Sequence, residues 1–273
     1  PDLLDFQELR KATNLRSDYG KVTQRGGTQR IHTATIGGGA KVMGCFQWDA
    51  PSATGQIVAL SNTEFYHKTL AASDFTEVLS TLSTTNLPWF QPHVIAGTPT
   101  LYIADGALRK WTGTTLTTSI TGAPSAKTLA VYKSRMFATD GSKTLFWSKI
   151  NDPSLWATAD GGGNADVETY NAEGLIGLVT LGGSLLLFKD DNIARFRGAS
   201  ASNIQIDQES EGVSGDVGCI AHKTIAKFGQ RCFFLSDRGP YIADESGVLY
   251  IGQKIENEFT SWDADQLVSA VAI

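Results

Sequence analysis

The sequence contains few of the residues from which metal and redox sites are built, with 3 Cys, 4 His and 2 Met among 273 residues. It has no Cys-x-x-Cys pair and no His-Glu-x-x-His motif, so the common spacings of zinc sites are missing. Long runs of helical periodicity are also missing. The apolar stretch Gly174–Phe188 carries no charge, but its 15 residues are too few for a membrane-spanning helix, which needs about 20. We therefore expect no metal, no cofactor and no membrane insertion.

The three cysteines, Cys45, Cys219 and Cys232, cannot all pair with one another. If Gly229 centres the turn before the strand of Cys232, the residue that faces Cys232 lies near Ala226. Cys219 then lies roughly 20 Å away at about 3.3 Å per residue, which is beyond the reach of a disulfide. We therefore expect free thiols in hydrophobic cores and synthesis in a reducing compartment.

What the sequence does contain is a strand-turn-strand phrase that occurs five times. The five copies are Ile57–Lys68, Leu101–Trp111, Met136–Trp147, Leu185–Phe196 and Cys232–Ala243. Their turn residues are Asn62, Asp105, Asp140, Asp190 and Asp237. Successive turn residues are 43, 35, 50 and 47 residues apart, which is the size of one four-stranded blade of a β-propeller.

Each phrase has the composition of a β-hairpin, because β-branched and aromatic residues flank a tip that accepts positive φ or an Asx-turn. Two further candidate strands accompany each hairpin. The predicted blades are Val42–Trp48 with the residues after it, His93–Ile120, Thr128–Tyr170, Leu175–Ile206 and Val217–Ile251. In the fourth blade, the predicted strands are Leu175–Leu181, Ser184–Lys189, Asn192–Arg197 and Asn203–Ile206.

These observations predict an all-β, β-propeller-like fold with four-stranded antiparallel blades. We expect residues 1–29 to form an N-terminal arm and residues 30–273 to form a propeller-like domain with at least five blades. The apolar segment Gln266–Ile273 resembles the innermost strand of a further blade, so we expect at least one blade to be incomplete. An irregular antiparallel sandwich without radial order is the alternative.

Charge indicates two candidate interaction regions. The net charge of −5 argues against general nucleic-acid binding, which needs clustered Lys and Arg. A local exception near the start is a basic stretch of Arg10, Lys11, Arg16, Lys21, Arg25 and Arg30. This stretch is either an arm that contacts acidic protein or DNA, or a solvated polar segment.

The acidic residues Asp207, Glu209 and Glu211 alternate along a possible strand and therefore share one side. They indicate a solvated edge or an interface, with acid-base chemistry as the alternative.

The candidates for catalysis are weak. Asp160–Glu168 offers oxygen ligands to a cation, but its glycine spacing does not match a calcium loop. Thr139–Trp147 resembles the Asp-box hairpin of sialidases, except that Asp140 and Gly141 are adjacent and the box does not repeat. The arginine triad and nucleophilic tyrosine of that family cannot be placed. We therefore expect no catalytic residue, and a propeller glycosidase or a glycan-binding module is the alternative function.

The order of four longer segments is distinctive. They are Leu175–Gly198, Gly212–Lys223, Phe233–Gly252 and Lys254–Ala272. This order resembles that of the tail hub or nozzle proteins of short-tailed bacteriophages, a family also called packaged-DNA stabilisation proteins. The upstream pieces that resemble the same family are Ala12–Arg16, Arg25–Thr28 and Tyr132–Phe137. Together the segments span most of residues 10–272.

The resemblance implies a virion tail protein that is made in the cytoplasm of the host bacterium. Such a subunit assembles as a homo-oligomeric ring, expected to contain six copies, below the portal and adaptor proteins. The ring continues the DNA channel, retains the packaged genome until ejection, and joins tail spikes or fibres and a needle. Double-stranded DNA passes through it without sequence-specific binding. The later region where family members add blades or a tip domain is missing here, so gating and mere lining of the channel both stay open.

Overall fold

A computed structural model describes the backbone of residues 15–18, 21–24, 32–49, 55–83, 85–95, 97–168, 173–198, 204–207, 213–259, 261–262 and 267–271. These residues form one two-stranded hairpin and five larger antiparallel sheets. One α-helical turn, α1, spans Glu256–Phe259. Short 3-10 turns lie at Gly37–Gly39, Thr158–Asp160, His222–Thr224 and Gln253–Ile255.

The strands follow the chain order within every sheet. The hairpin consists of β1 (Leu15–Asp18) and β2 (Lys21–Gln24). Sheet 1 consists of β3 (Val42–Asp49), β4 (Gly55–Ser61), β5 (Glu64–Thr69) and β6 (Thr76–Leu79). Sheet 2 consists of β7 (Trp89–Ile95), β8 (Thr98–Ala104) and β9 (Leu108–Trp111). Sheet 3 consists of β10 (Thr128–Tyr132), β11 (Arg135–Thr139), β12 (Thr144–Trp147) and β13 (Gly163–Asp166). Sheet 4 consists of β14 (Gly177–Leu181), β15 (Ser184–Phe188), β16 (Ile193–Arg197) and β17 (Gln205–Asp207). Sheet 5 consists of β18 (Ala226–Phe228), β19 (Arg231–Ser236), β20 (Gly239–Ala243) and β21 (Val248–Tyr250).

The five predicted hairpins are the second and third strands of the five sheets. In four of them, the two residues predicted to end the hairpin are directly paired across the strands. These pairs are Ile57↔Lys68, Leu101↔Trp111, Leu185↔Phe196 and Cys232↔Ala243. In sheet 3, Trp147 pairs with Phe137 and not with Met136. The turn residues Asn62, Asp105, Asp140, Asp190 and Asp237 consequently occupy equivalent corners of the five sheets.

The hydrophobic cores lie between consecutive sheets. Aromatic pairs mark three of these cores, because Phe65 contacts Trp111, Phe137 contacts Phe196, and Phe188 contacts Phe234, with ring centroids 5.0–5.2 Å apart. The core between sheets 2 and 3 includes Tyr102, Leu108, Leu129, Met136 and Trp156. Alternate residues of each strand face opposite sides of the sheet, so each middle sheet contributes to two cores.

The first strands of the sheets lie on the inside of this arrangement. β3 lies beside β7, β7 beside β10, and β10 beside β14, while β14 lies beside β19 of sheet 5. The segment before sheet 5 also contacts the segment before sheet 2, because the Lys223 ammonium donates a hydrogen bond to the carbonyl oxygen of Pro88. Sheets placed side by side with their first strands inside form a propeller-like arrangement. The prediction of an all-β, β-propeller-like fold is confirmed.

Two details differ from the expectations. Sheet 2 has three strands, because the residues after β9 form turns. These residues pair with sheet 2 only through an isolated bridge between Trp111 and Leu116. The three cysteines are free, as expected, but Cys45 is exposed and not in a core, while Cys219 and Cys232 share one core and are not separated by the length of a strand. The segment before β18 folds back along the sheet, where the Ile220 N–H donates to the Leu235 carbonyl at 3.0 Å. No helix in the described part of the chain is long and apolar enough to cross a membrane.

Candidate functional site

Asp207, one of the three acidic residues predicted to share one side of a strand, is a buried anchor that holds two strands together. Asp207, at the end of β17, is only 2% exposed, in contrast to the solvated or interface position expected for it. Its carboxylate lies 3.1 Å from Arg195 Nε and 2.5 Å from Arg197 Nη2, two side chains of the neighbouring strand β16. Arg195 also donates to the carbonyl oxygen of Glu245 in sheet 5 at 2.9 Å. Asp207 therefore ties the outer strands of sheet 4 together through two arginines. Glu209 and Glu211 lie outside the described residues.

The basic stretch is described only in part. Arg16 lies on β1, opposite Thr23, and Lys21 lies on β2, opposite Asp18. The other four members of the stretch, Arg10, Lys11, Arg25 and Arg30, lie outside the described residues. Contact of this stretch with acidic protein or DNA stays a prediction.

A second buried ion pair joins the turns of sheets 1 and 2. Asp105 accepts a hydrogen bond from Arg109 Nε at 3.0 Å and another from the Ser83 N–H at 3.0 Å. Arg109 also donates to the carbonyl oxygens of Thr81 and Thr118. The hairpin pattern predicts Asp105 only as a turn residue. The Asp-x-x-x-Arg spacing across a hairpin tip was the local signal for this pair.

Two carboxylates of the acidic loop Asp160–Glu168 pair with a single lysine. Lys143 Nζ lies 3.2 Å from Asp166 and 2.7 Å from Glu168. A hydrogen bond from Thr144, and then the ammonium of Lys143, lower the pKa of Asp166. Within the described ranges, no group of three His, Cys, Asp or Glu side chains is arranged to hold a metal ion.

Lys223 and His222 lie against the ring of Trp89 at the start of β7. The Lys223 ammonium lies 5.1 Å from the centre of the Trp89 ring, and the His222 ring lies 6.1 Å from it. Burial lowers the pKa of Lys223 to about 8. Burial, and then the positive charges of Lys223 and Lys127, lower the pKa of His222 to about 4. No sequence signal links these residues, because Trp89 and His222 are far apart along the chain.

Sheet 5 exposes an apolar row on the face that points away from sheet 4. Ala226, Phe233, Ile242 and Leu249 are paired across its four strands, and Leu249 is 62% exposed. Phe234, the neighbour of Phe233, faces the core shared with sheet 4. The apolar row therefore lies on the opposite face of the sheet. The exposed side chains beside this row are Phe228 and Ile251.

No protein-family model and no curated protein sequence matches the chain significantly. Among solved structures, the fold is similar to that of BBS1N, which was crystallised in complex with ARL6DN and is a propeller. The TM-score is 0.54 at 10% identity, and the match covers 77% of this chain and 66% of that one. The computationally designed Ika8 protein matches with a TM-score of 0.48 at 11% identity, over 76% of this chain and 59% of that one. The chain thus spans less than two thirds of the length of both proteins. The likeness to BBS1N supports the fold alone.

Proposed function

We propose that the chain is a structural subunit of a bacteriophage virion, acting as a tail hub or nozzle whose functional act is to assemble with copies of itself. The proposal is carried by the positions of two segments that resemble the tail hub family, because each coincides with much of one sheet. Leu175–Gly198 contains the first three strands of sheet 4, and Phe233–Gly252 contains most of sheet 5. Two of the segments that resemble the tail hub family thus lie in successive sheets that share one core.

The exposed apolar row of sheet 5 supports a subunit interface. In the preceding sheets, the face directed toward the next sheet is covered, as Phe188 of sheet 4 is covered by Phe234. The equivalent face of sheet 5 carries the paired row that ends at Leu249. Exposed apolar patches of this kind mark sites of protein association. We propose a second copy of the chain as the protein that covers this row.

The charge of the chain is compatible with a DNA channel. A ring of six chains, each of net charge −5, carries −30. An acidic wall repels phosphates, so DNA slides past it with little adhesion. The portal and adaptor proteins, tail spikes or fibres, and a needle are the neighbours that this role requires. In this proposal the protein is located in the virion tail.

The assembly is tested by imaging the purified chain and counting the subunits around the axis of the particle. Leu249→Lys places a charge in the apolar row and should convert rings to monomers. Leu70→Lys is the matched control, because Leu70 is also exposed but lies at the end of sheet 1. Rings that survive Leu249→Lys, or a wild-type chain that stays monomeric at all concentrations, would contradict the proposed interface.

The role in the virion needs a separate experiment. Particles made without this chain should package DNA and then lose it, because no closed tail lies below the portal. The measurement is the amount of encapsidated DNA over time. Full, stable and infectious particles without the chain would exclude the hub or nozzle role.

A groove between sheets 1 and 2 favours glycan binding as a second candidate function. It has a volume of about 670 Å³ and is lined by Phe46, Trp48, Pro92 and His93, with Gln47 beside them. Aromatic walls with a few polar groups are typical of ligand sites. Binding on a glycan array, or hydrolysis of a glycoside by the purified chain, would favour this function over the structural one.

A further inference from the structure

A cavity lies at the centre of the sheet arrangement, where the first strands of four sheets converge. Its volume is about 320 Å³, within the range of small-molecule sites. Trp89 of sheet 2, Val131 of sheet 3, Val179 of sheet 4 and Ile225 before sheet 5 form apolar walls. We call this cavity the axial cleft. The polar side chains that line it are those of Gln91, Thr180 and Lys227.

The axial cleft presents positive charge without a counter-charge. Lys227 is exposed, and its ammonium donates one hydrogen bond, to the carbonyl oxygen of Thr180 at 2.7 Å. Lys223 lies against the Trp89 ring. In the part of the chain that the structure describes, neither lysine forms an ion pair, and the residues lining the cleft include no carboxylate. An ammonium has three protons to donate, so Lys227 retains two for a ligand.

The indole of Trp89 adds an unused donor. Its Nε1 is buried and has no hydrogen-bond acceptor among the described residues. Buried indole N–H groups ordinarily find an acceptor. An acceptor brought by a ligand would satisfy Trp89, and a negatively charged acceptor would also neutralise the lysines.

We propose that the axial cleft binds a small organic carboxylate with an apolar body. The carboxylate accepts hydrogen bonds from Lys227 and the Trp89 indole, while the apolar body packs against Val131, Val179 and Ile225. Inorganic phosphate fits less well, because it has no apolar part and because the lining residues include no arginine. This proposal does not depend on the role in the virion, since it concerns the inside of one subunit.

The test is a calorimetric titration of the full chain with octanoate, 1-octanol and inorganic phosphate. We expect octanoate to bind at least roughly tenfold more tightly than either other probe, since it alone combines charge with an apolar chain. Lys227→Gln should weaken octanoate binding by roughly tenfold or more. Lys41→Gln, which changes an exposed lysine of the segment before sheet 1, should leave octanoate binding unchanged.

Three results would overturn the proposal. The first is no heat of binding for octanoate at millimolar concentration. The second is equal binding of octanoate and 1-octanol together with no effect of Lys227→Gln, which would identify an apolar crevice only. The third is phosphate that binds as tightly as octanoate, which would identify a site for anions in general. A Trp89→Phe variant keeps the aromatic wall and removes the indole donor, so it should weaken octanoate binding and leave 1-octanol binding unchanged.

Discussion

Asp207→Asn removes one negative charge from between two arginines and keeps the size of the side chain. Arg195 Nε and Arg197 Nη2 lie 3.1 and 2.5 Å from the same carboxylate oxygen. The change removes the carboxylate that both guanidinium groups contact at this point, while Arg195 stays bound to the carbonyl oxygen of Glu245. We therefore expect the free energy of unfolding to fall.

The size of the loss follows from burial. Losing one partner of a fully buried ion pair costs about 3–5 kcal/mol. Asp207 is 2% exposed, but the side chains of Arg195 and Arg197 are 21% and 45% exposed, so water solvates part of the released charge. Asn retains an oxygen that accepts one hydrogen bond. The expected loss is about 2–3 kcal/mol.

Urea unfolding followed by circular dichroism measures this loss. The matched control is Asp216→Asn, because Asp216 is 80% exposed and lies 3.7 Å from Arg238, which is 57% exposed. That variant should change stability by less than about 0.5 kcal/mol. Equal losses for the two variants would refute the assignment of Asp207 as a buried anchor. If the released positive charge is the cause, adding Arg197→Gln to Asp207→Asn should restore part of the stability.

Three further predictions concern a turn, a histidine and a thiol. Gly141→Ala should destabilise the chain by about 1–2 kcal/mol, because Gly141 has a φ of +92° that L-residues resist. Gly247→Ala should be neutral or stabilising, because a Cβ there meets no atom within 4 Å, and equal thermal shifts for the two would contradict the assigned turn. The pKa of His222 is about 4 in the folded chain, so unfolding takes up a proton between about pH 6.5 and 4. Stability should fall by about 2–4 kcal/mol as the pH drops through this window, and His222→Gln should lack that part of the fall, as urea titrations at each pH would show. Only Cys45 is exposed, so a thiol reagent should modify one cysteine in the native chain and three after unfolding. If Cys219 or Cys232 reacts faster than Cys45 in the native chain, that result would count against the packing of sheet 5.

Hairpins were predictable from the sequence because their signals are local. Turn chemistry and flanking apolar residues lie within a dozen positions, and the predicted ends Leu185 and Phe196 are directly paired in the structure. The repeat of this unit then indicated the number of sheets and their meander order. These local signals did not predict that sheet 2 has three strands, with turns in place of a fourth strand after Trp111.

Contacts between distant segments were beyond the reach of such patterns. The pairing of Asp207 with Arg195 depends on the register of β16 and β17, which the sequence alone does not fix. The contact between Lys223 and Pro88 joins residues 135 positions apart. Cys219 was misplaced for a related reason, because a segment that folds back along its own sheet leaves no periodic trace.

Placing every large core between two sheets has a consequence for how the chain unfolds. No sheet is an independent folding unit, because its apolar side chains on one or both faces are covered by a neighbouring sheet. Stability is then largely a sum of nearest-neighbour contacts, as in repeat proteins, and amide exchange should be slower in sheets 2, 3 and 4, which have a neighbour on each side, than in sheets 1 and 5. Lys223 adds a contact between sheets that are not consecutive, because its hydrogen bond to Pro88 couples the opening of sheet 5 to the opening of sheet 2. Loss of that bond should make the unfolding transition broader and less cooperative.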